Sequence, residues 1–162
     1  MFSLKEVFLI FAGHGARFNF RWLGNGKENM DGLNGTQAMN ALVKEVQKRM
    51  QNAGVAERAM KQTKIGYLLF WSDSFLNSFI KQKDNSVWVL TVTICPPEDM
   101  KSSGRYTYVL AIGKSDANHS EVINHYMHQA EELMKGFDCY FGNSNKIERV
   151  ALAMLCWSAD WP

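Results

Sequence analysis

Three features of this 162-residue sequence predict an α/β or α+β fold with a mixed sheet of about five strands and two main helices. Thr36 to Ala53 and His119 to Lys135 carry apolar residues at helical spacing, with charged residues on the opposite face. Residues 87–95 and 105–112 are rich in β-branched and aromatic side chains, and Pro96-Pro97 and Ser102-Ser103-Gly104 punctuate them. At 46% hydrophobic and 21% charged the chain builds a real core, which excludes disordered and low-complexity classes.

From the N-terminus, Phe2 to Ala12 reads as a strand covered on both faces, because Val7 to Phe11 is a continuous apolar run. Gly13-His14-Gly15 ends it. Phe18, Phe20 and Trp22 alternate with Asn19, Arg21 and Leu23, the period of a second, half-buried strand. Four glycines in residues 24–35 make a long turn region.

In the first helix Met39, Leu42, Val43, Val46 and Met50 face inward, and Gly54 stands where a left-handed C-terminal residue is wanted. Ile65 to Trp71 is a short strand ending at Ser72-Asp73-Ser74, and Phe75, Leu76, Phe79 and Ile80 suggest helical turns after it. The strands 87–95 and 105–112 are close enough in sequence to pair antiparallel. Asn118 and Glu121 are spaced as a capping box for the second helix, which Gly136 stops. Ile147 to Trp157 is an apolar element whose Ala, Leu and Met content suits a helix as well as a buried strand. Residues 1–64 (strand, hairpin and helix) and 65–162 are expected to form one compact unit.

Charge and cysteines bound the function classes. Net charge is +2, too small to argue for nucleic acid alone, but residues 1–113 hold 14 Lys/Arg against 9 Asp/Glu and residues 114–162 hold 4 against 7. Three cysteines without CxxC spacing argue against a disulfide scaffold and for a reducing, intracellular setting. The apolar runs Val7 to Ala12 and Val150 to Trp157 are too short for a signal-peptide core or a membrane span.

Three constellations can carry chemistry. Glu121, His125, His128 and Glu132 share one stripe of the second helix; imidazoles there could bind zinc, but the stripe opposes the apolar face and reads as a solvated one. His14 and Cys95 each end an apolar strand, so a Cys–His hydrolase is one reading, with the imidazole holding the thiol as thiolate. A strand-terminating glycine turn is the plainer explanation of His14, and Pro96-Pro97 is foreign to a caspase-like motif.

The third pair is Asp73 and Asp160, each following an apolar element through similar residues: Phe70-Trp71-Ser72-Asp73 and Cys156-Trp157-Ser158-Ala159-Asp160. Strand, strand and helix lie between them. That is an RNase H-like outline: a first strand with an Asp, two antiparallel partners, a crossover helix and a fourth strand returning beside the first. Two carboxylates at adjoining strand ends could hold Mg²⁺ or Mn²⁺ for phosphodiester chemistry. Asp73 capping a following helix is the structural alternative.

The serial order of Leu68 to Phe75, VWVLTVTICPPEDMKSSGRYTYVLAIG (87–113), HSEVINHYMHQAEELMKGF (119–137) and RVALAMLCWSADWP (149–162) resembles the RNase H-like core of CACTA and Plavaka-type cut-and-paste DNA transposases. The resemblance covers about residues 65–162. It implies Asp73 and Asp160 as the first two catalytic acids, a divalent cation, DNA as partner and a nuclear location, against a cytoplasmic one otherwise. A third acid would lie beyond Pro162, so the resemblance implies a fragment of a larger core or a derivative with a vestigial site. Lys81, Lys83, Lys101 and Arg105, on turns between the strands, would touch phosphates. The alternative is a non-enzymatic interaction or regulatory module, docking through Phe18, Phe20 and Trp22. Self-association is compatible with either.

Overall fold

The computed structural model describes residues 3–22, 36–76, 86–97 and 104–159. The expected mixed α and β architecture is present. Among the described residues four α-helices, α1 (Leu4–Gly13), α2 (Thr36–Asn52), α3 (Glu57–Lys61) and α4 (Ser120–Leu133), accompany six strands: β1 (Arg21–Trp22), β2 (Lys64–Leu76), β3 (Ser86–Ile94), β4 (Thr107–Lys114), β5 (Phe137–Phe141) and β6 (Lys146–Ala159). Five strands run in the order β4-β3-β2-β6-β5, and β1 pairs with the start of β2. Among the described residues no helix is long and apolar enough to cross a membrane.

The first correction is at the N-terminus, where the expected strand is the helix α1. A continuous apolar run does not separate a buried strand from a buried helix. Here Leu4, Val7, Phe8 and Ala12 are buried at helical spacing. The deciding local signal is a capping box: the Glu6 N–H donates to Ser3 Oγ at 3.1 Å and the Ser3 N–H to Glu6 Oε2 at 2.7 Å. The second expected strand shrinks to Arg21–Trp22, and Phe18 and Phe20 leave the ladder to pack against other rings.

β2 does not stop at Ser72 but continues to Leu76, so Phe75 and Leu76 are strand residues; Phe79 and Ile80 lie outside the described residues. β2, β3 and β4 form the expected antiparallel meander. Between Gly104 and Tyr106 the chain makes a short 3-10 turn, which delays β4 to Thr107. The capping expected at α4 is met in part: Asn118 Oδ1 accepts the Ser120 N–H at 3.0 Å. Gly54 and Gly136 both adopt the left-handed conformation expected of helix stops, with φ of 73° and 85°.

The apolar C-terminal element resolves as the strand β6, parallel to β2. Between α4 and β6 the chain adds β5, which takes the sheet edge and returns by a hairpin to β6, a strand absent from the expected order. The sequence gives no sign of β5 after the helix stop at Gly136. Its alternating burial is plain in the structure, with Phe137, Cys139 and Phe141 inward and Asp138 and Tyr140 outward.

Both faces of the central β2–β6 pair are covered, as a parallel pair requires. On one face α1 and α4 pack Phe8, Tyr126 and Leu133 onto Leu68, Phe70, Val92, Val150 and Leu152. The buried Tyr126 hydroxyl is satisfied by the Leu110 carbonyl at 3.1 Å. On the other face α2 sets Val46 and Met50 against Ile65, Ala151 and Ala153, where small side chains on β6 let the helix approach.

The C-terminal end of α1 meets the β5–β6 turn of the sheet. The Gly142 N–H, in the β5–β6 turn, donates to the Ala12 carbonyl at 2.9 Å, and a Cβ on Gly142 would collide with the Gly13 carbonyl oxygen. Backbone cannot swing aside as a side-chain tip does. Gly142→Ala is therefore expected to cost about 2–3 kcal/mol, a Tm decrease of roughly 5–10 °C for a chain of this size. Gly104→Ala, with nothing within 4 Å of its Cβ position, is the control and should melt like the parent. Equal melting temperatures in differential scanning calorimetry would contradict this account of the junction.

Candidate functional site

Asp73 lies near the end of β2 and pairs with Val89 across the β3 ladder. Strand alternation puts it on the same face as Trp71 and Phe75, whose rings are 5.7 Å apart and the second of which is 45% exposed. Its Oδ1 accepts the N–H of its own neighbour Ser74 at 2.7 Å. The carboxylate thus sits on a mainly apolar sheet face and does not cap a helix. Asp160, Lys81, Lys83 and Lys101 lie outside the described residues.

The two similar stretches lie side by side, one residue out of step. Phe70 pairs with Trp157, Trp71 with Ser158 and Ser72 with Ala159, the last described pair of the parallel ladder. The Trp157 Nε1–H donates to Ser72 Oγ at 3.1 Å, and the Phe70 and Trp157 rings stack 5.8 Å apart. Among the described residues no group of three His, Cys, Asp or Glu side chains could hold a metal ion. Asp73 is the one described carboxylate of the expected pair, and no metal-dependent step follows from it.

Cys95 does not have the environment of a nucleophile. It is fully buried, and its sulfur stands 3.0 Å from where a Cβ on Gly66 would be. Its N–H donates to the Tyr67 carbonyl and its carbonyl accepts the Asn19 N–H, both at 2.9 Å. Burial pushes the thiol far above the ordinary cysteine range, the reverse of what a reactive thiolate needs. His14 is exposed at the C-terminal cap of α1. The histidine stripe of α4 is solvated as expected: Glu121, His125, His128 and Glu132 are all exposed, and His125 Nε2 pairs with Gln129 Nε2 at 2.7 Å.

What sequence reading missed is a pair of adjoining clefts where the chain leaves α1. The loop is pinned by the Ala16 N–H to the Phe11 carbonyl at 3.0 Å and by the Asn19 N–H to the Cys95 carbonyl at 2.9 Å, and Gly15 lies beside Asn143. One cleft, of about 290 Å³, is lined by Phe11, His14, Gly15, Ala16, Arg17, Arg105 and Tyr106. The other, of about 250 Å³, is lined by Ala16, Arg17, Phe18, Phe20, Lys64, Phe141, Asn143, Ser144, Lys146 and Glu148. Ala16 and Arg17 form the shared wall.

The chemistry of the clefts is cationic and aromatic. Tyr106, Phe18, Phe20 and Phe141 make a continuous run of ring contacts, with centroids 5.9, 5.4 and 5.7 Å apart. Lys64 Nζ lies 5.9 Å from the Phe20 ring centre and 5.8 Å from that of Phe141. It is paired with Glu148 Oε2 at 2.6 Å, the two side chains being 20% and 26% exposed. Arg17, Lys64, Arg105 and Lys146 come from four distant stretches of chain, so no local basic run announces them. Arg105 is the one expected phosphate contact among the described residues, and it lines the first cleft. Phe18 and Phe20, expected as an exposed docking edge, are half-buried in the ring wall; the side chain of Trp22 lies outside what the structure describes.

These burial differences separate the three thiols. Cys95 and Cys139 are buried, with the Cys139 thiol pushed up to about 11 mainly by burial, while Cys156 is exposed. Alkylation of the native chain with iodoacetamide at pH 8 should label one cysteine, Cys156, and peptide mass mapping should find the other two only after unfolding. Rapid native labelling of Cys95 would contradict the assignment.

Comparison of the chain with protein-family models, with curated proteins and with solved structures finds no match.

Proposed function

We propose that this chain is a nucleic-acid-binding domain that grips a phosphate backbone at the paired clefts through Arg17, Lys64, Arg105 and Lys146. The observation that carries the reading is that these four cations line two adjoining clefts that share Ala16 and Arg17, with Phe18, Phe20 and Phe141 lining the second. Lysine and arginine supply the salt-dependent, sequence-independent part of nucleic-acid affinity, and rings beside them are the combination that holds exposed bases. DNA is also the partner implied by the transposase resemblance of residues 65–162.

The location favours binding without cutting of the gripped phosphates. Lys64 begins β2 and Asp73 lies nine residues further along it, which at strand rise is about 30 Å. A phosphate held at Lys64 is therefore at the opposite end of the central strand from the candidate carboxylate.

Fluorescence anisotropy with a labelled 20-nucleotide DNA tests this. Arg17→Ala/Lys146→Ala should weaken binding at least tenfold at low salt and lower the slope of log K against log salt by about 1–2, since each lost phosphate contact removes ~0.7–0.9. Lys61→Ala, an exposed cation outside the clefts, should leave binding unchanged. Parent-like affinity and slope in the double variant would overturn the proposal.

The two-carboxylate form of the resemblance is a separate proposal, in which Asp73 and Asp160 hold Mg²⁺ or Mn²⁺. What supports it is the parallel ladder whose last described pair, Ser72 and Ala159, immediately precedes those residues in sequence. Calorimetric titration with Mn²⁺ should show saturable binding that Asp73→Asn abolishes; no saturable heat from the parent chain would exclude it.

A further inference from the structure

Resting on that reading, we infer that the paired clefts take a single strand in preference to a duplex. The two clefts, about 290 and 250 Å³, lie at the lower end of the size of small-ligand sites, room for about one small unit each. They adjoin through Ala16 and Arg17, so a chain crossing that wall would seat successive units on either side of the guanidinium.

The lining makes the same distinction. A duplex presents phosphates outward and keeps its base faces stacked inside, so the ring wall would contribute nothing to it. A single strand offers both groups, and its bases stack on aromatic side chains with little sequence preference. Phe18 and Phe20 are half-buried, backed by Phe8 at 4.9 and 6.3 Å, which fixes the rings without burying them fully.

Glu148 completes the argument. It is the one carboxylate lining the second cleft, and it already pairs with Lys64 at 2.6 Å. A phosphate arriving at Lys64 competes with that carboxylate, so Glu148 holds the cation in place until a strand displaces it and lowers the affinity meanwhile.

The test compares labelled dT12 with a 12-base-pair duplex at one salt concentration, using the full chain. The single strand is expected to bind at least tenfold tighter. Glu148→Gln should tighten dT12 binding several-fold, and Phe18→Leu should weaken it several-fold without changing the salt slope. Because Phe18→Leu touches packing, photo-crosslinking of 5-iodouracil-substituted dT12 to the parent chain supplies a second readout, with adducts expected in the peptide spanning residues 14–20. Equal or tighter duplex binding that still depends on Arg17 and Lys146 would overturn the single-strand inference and leave the nucleic-acid reading standing. Binding of neither probe would overturn both.

Discussion

The approach of the β5–β6 turn to the end of α1 sets the geometry around it. Gly142 donates to the Ala12 carbonyl with no room for a side chain against Gly13, so helix and hairpin meet backbone to backbone. That contact holds the loop after α1 between Asn143 on one side and Cys95 on the other. Arg17, at the centre of the loop, therefore stands between Arg105 and Tyr106 in one cleft and Lys64 and Lys146 in the other. The junction brings the loop carrying Arg17 to Lys64 and Lys146, which the adjacent strands β2 and β6 already place near one another.

The sheet supplies the rest of the frame. β2 and β6 run parallel and are covered on both sides, so Lys64 and Glu148, near their starts, inherit a rigid backbone. A lysine in that position would repel its cationic neighbours if it stood alone. Its pairing with Glu148 and its place over the Phe20 and Phe141 rings compensate that charge in a site partly shielded from water.

The sequence revealed the elements whose signals are local and periodic. α2 and α4 follow from their spaced apolar residues, and β3 and β4 from β-branched runs between turn residues. Where local signals conflict the reading failed: Val7 to Phe11 suits a strand or a helix, and only the Ser3–Glu6 capping box separates them. β5 was missed because five residues after a glycine stop are too short to show a period against the helix before them. The adjacency of the Phe70–Ser72 and Trp157–Ala159 stretches was expected from the strand order, while the ladder sets their shared Trp-Ser one residue out of step. The clefts were not, because Arg17, Lys64, Arg105 and Lys146 share no sequence spacing and meet only through the sheet order and the Gly142 contact.

The central claim is that ligand enters at the loop after α1. Amide chemical-shift mapping by NMR during titration with a single-stranded oligonucleotide tests it most directly. The account predicts perturbations concentrated in residues 14–20, 64, 104–106 and 141–148, with the far end of β2 around Asp73 unmoved. Perturbations centred on Asp73 and its β3 neighbours, with the loop after α1 silent, would contradict it.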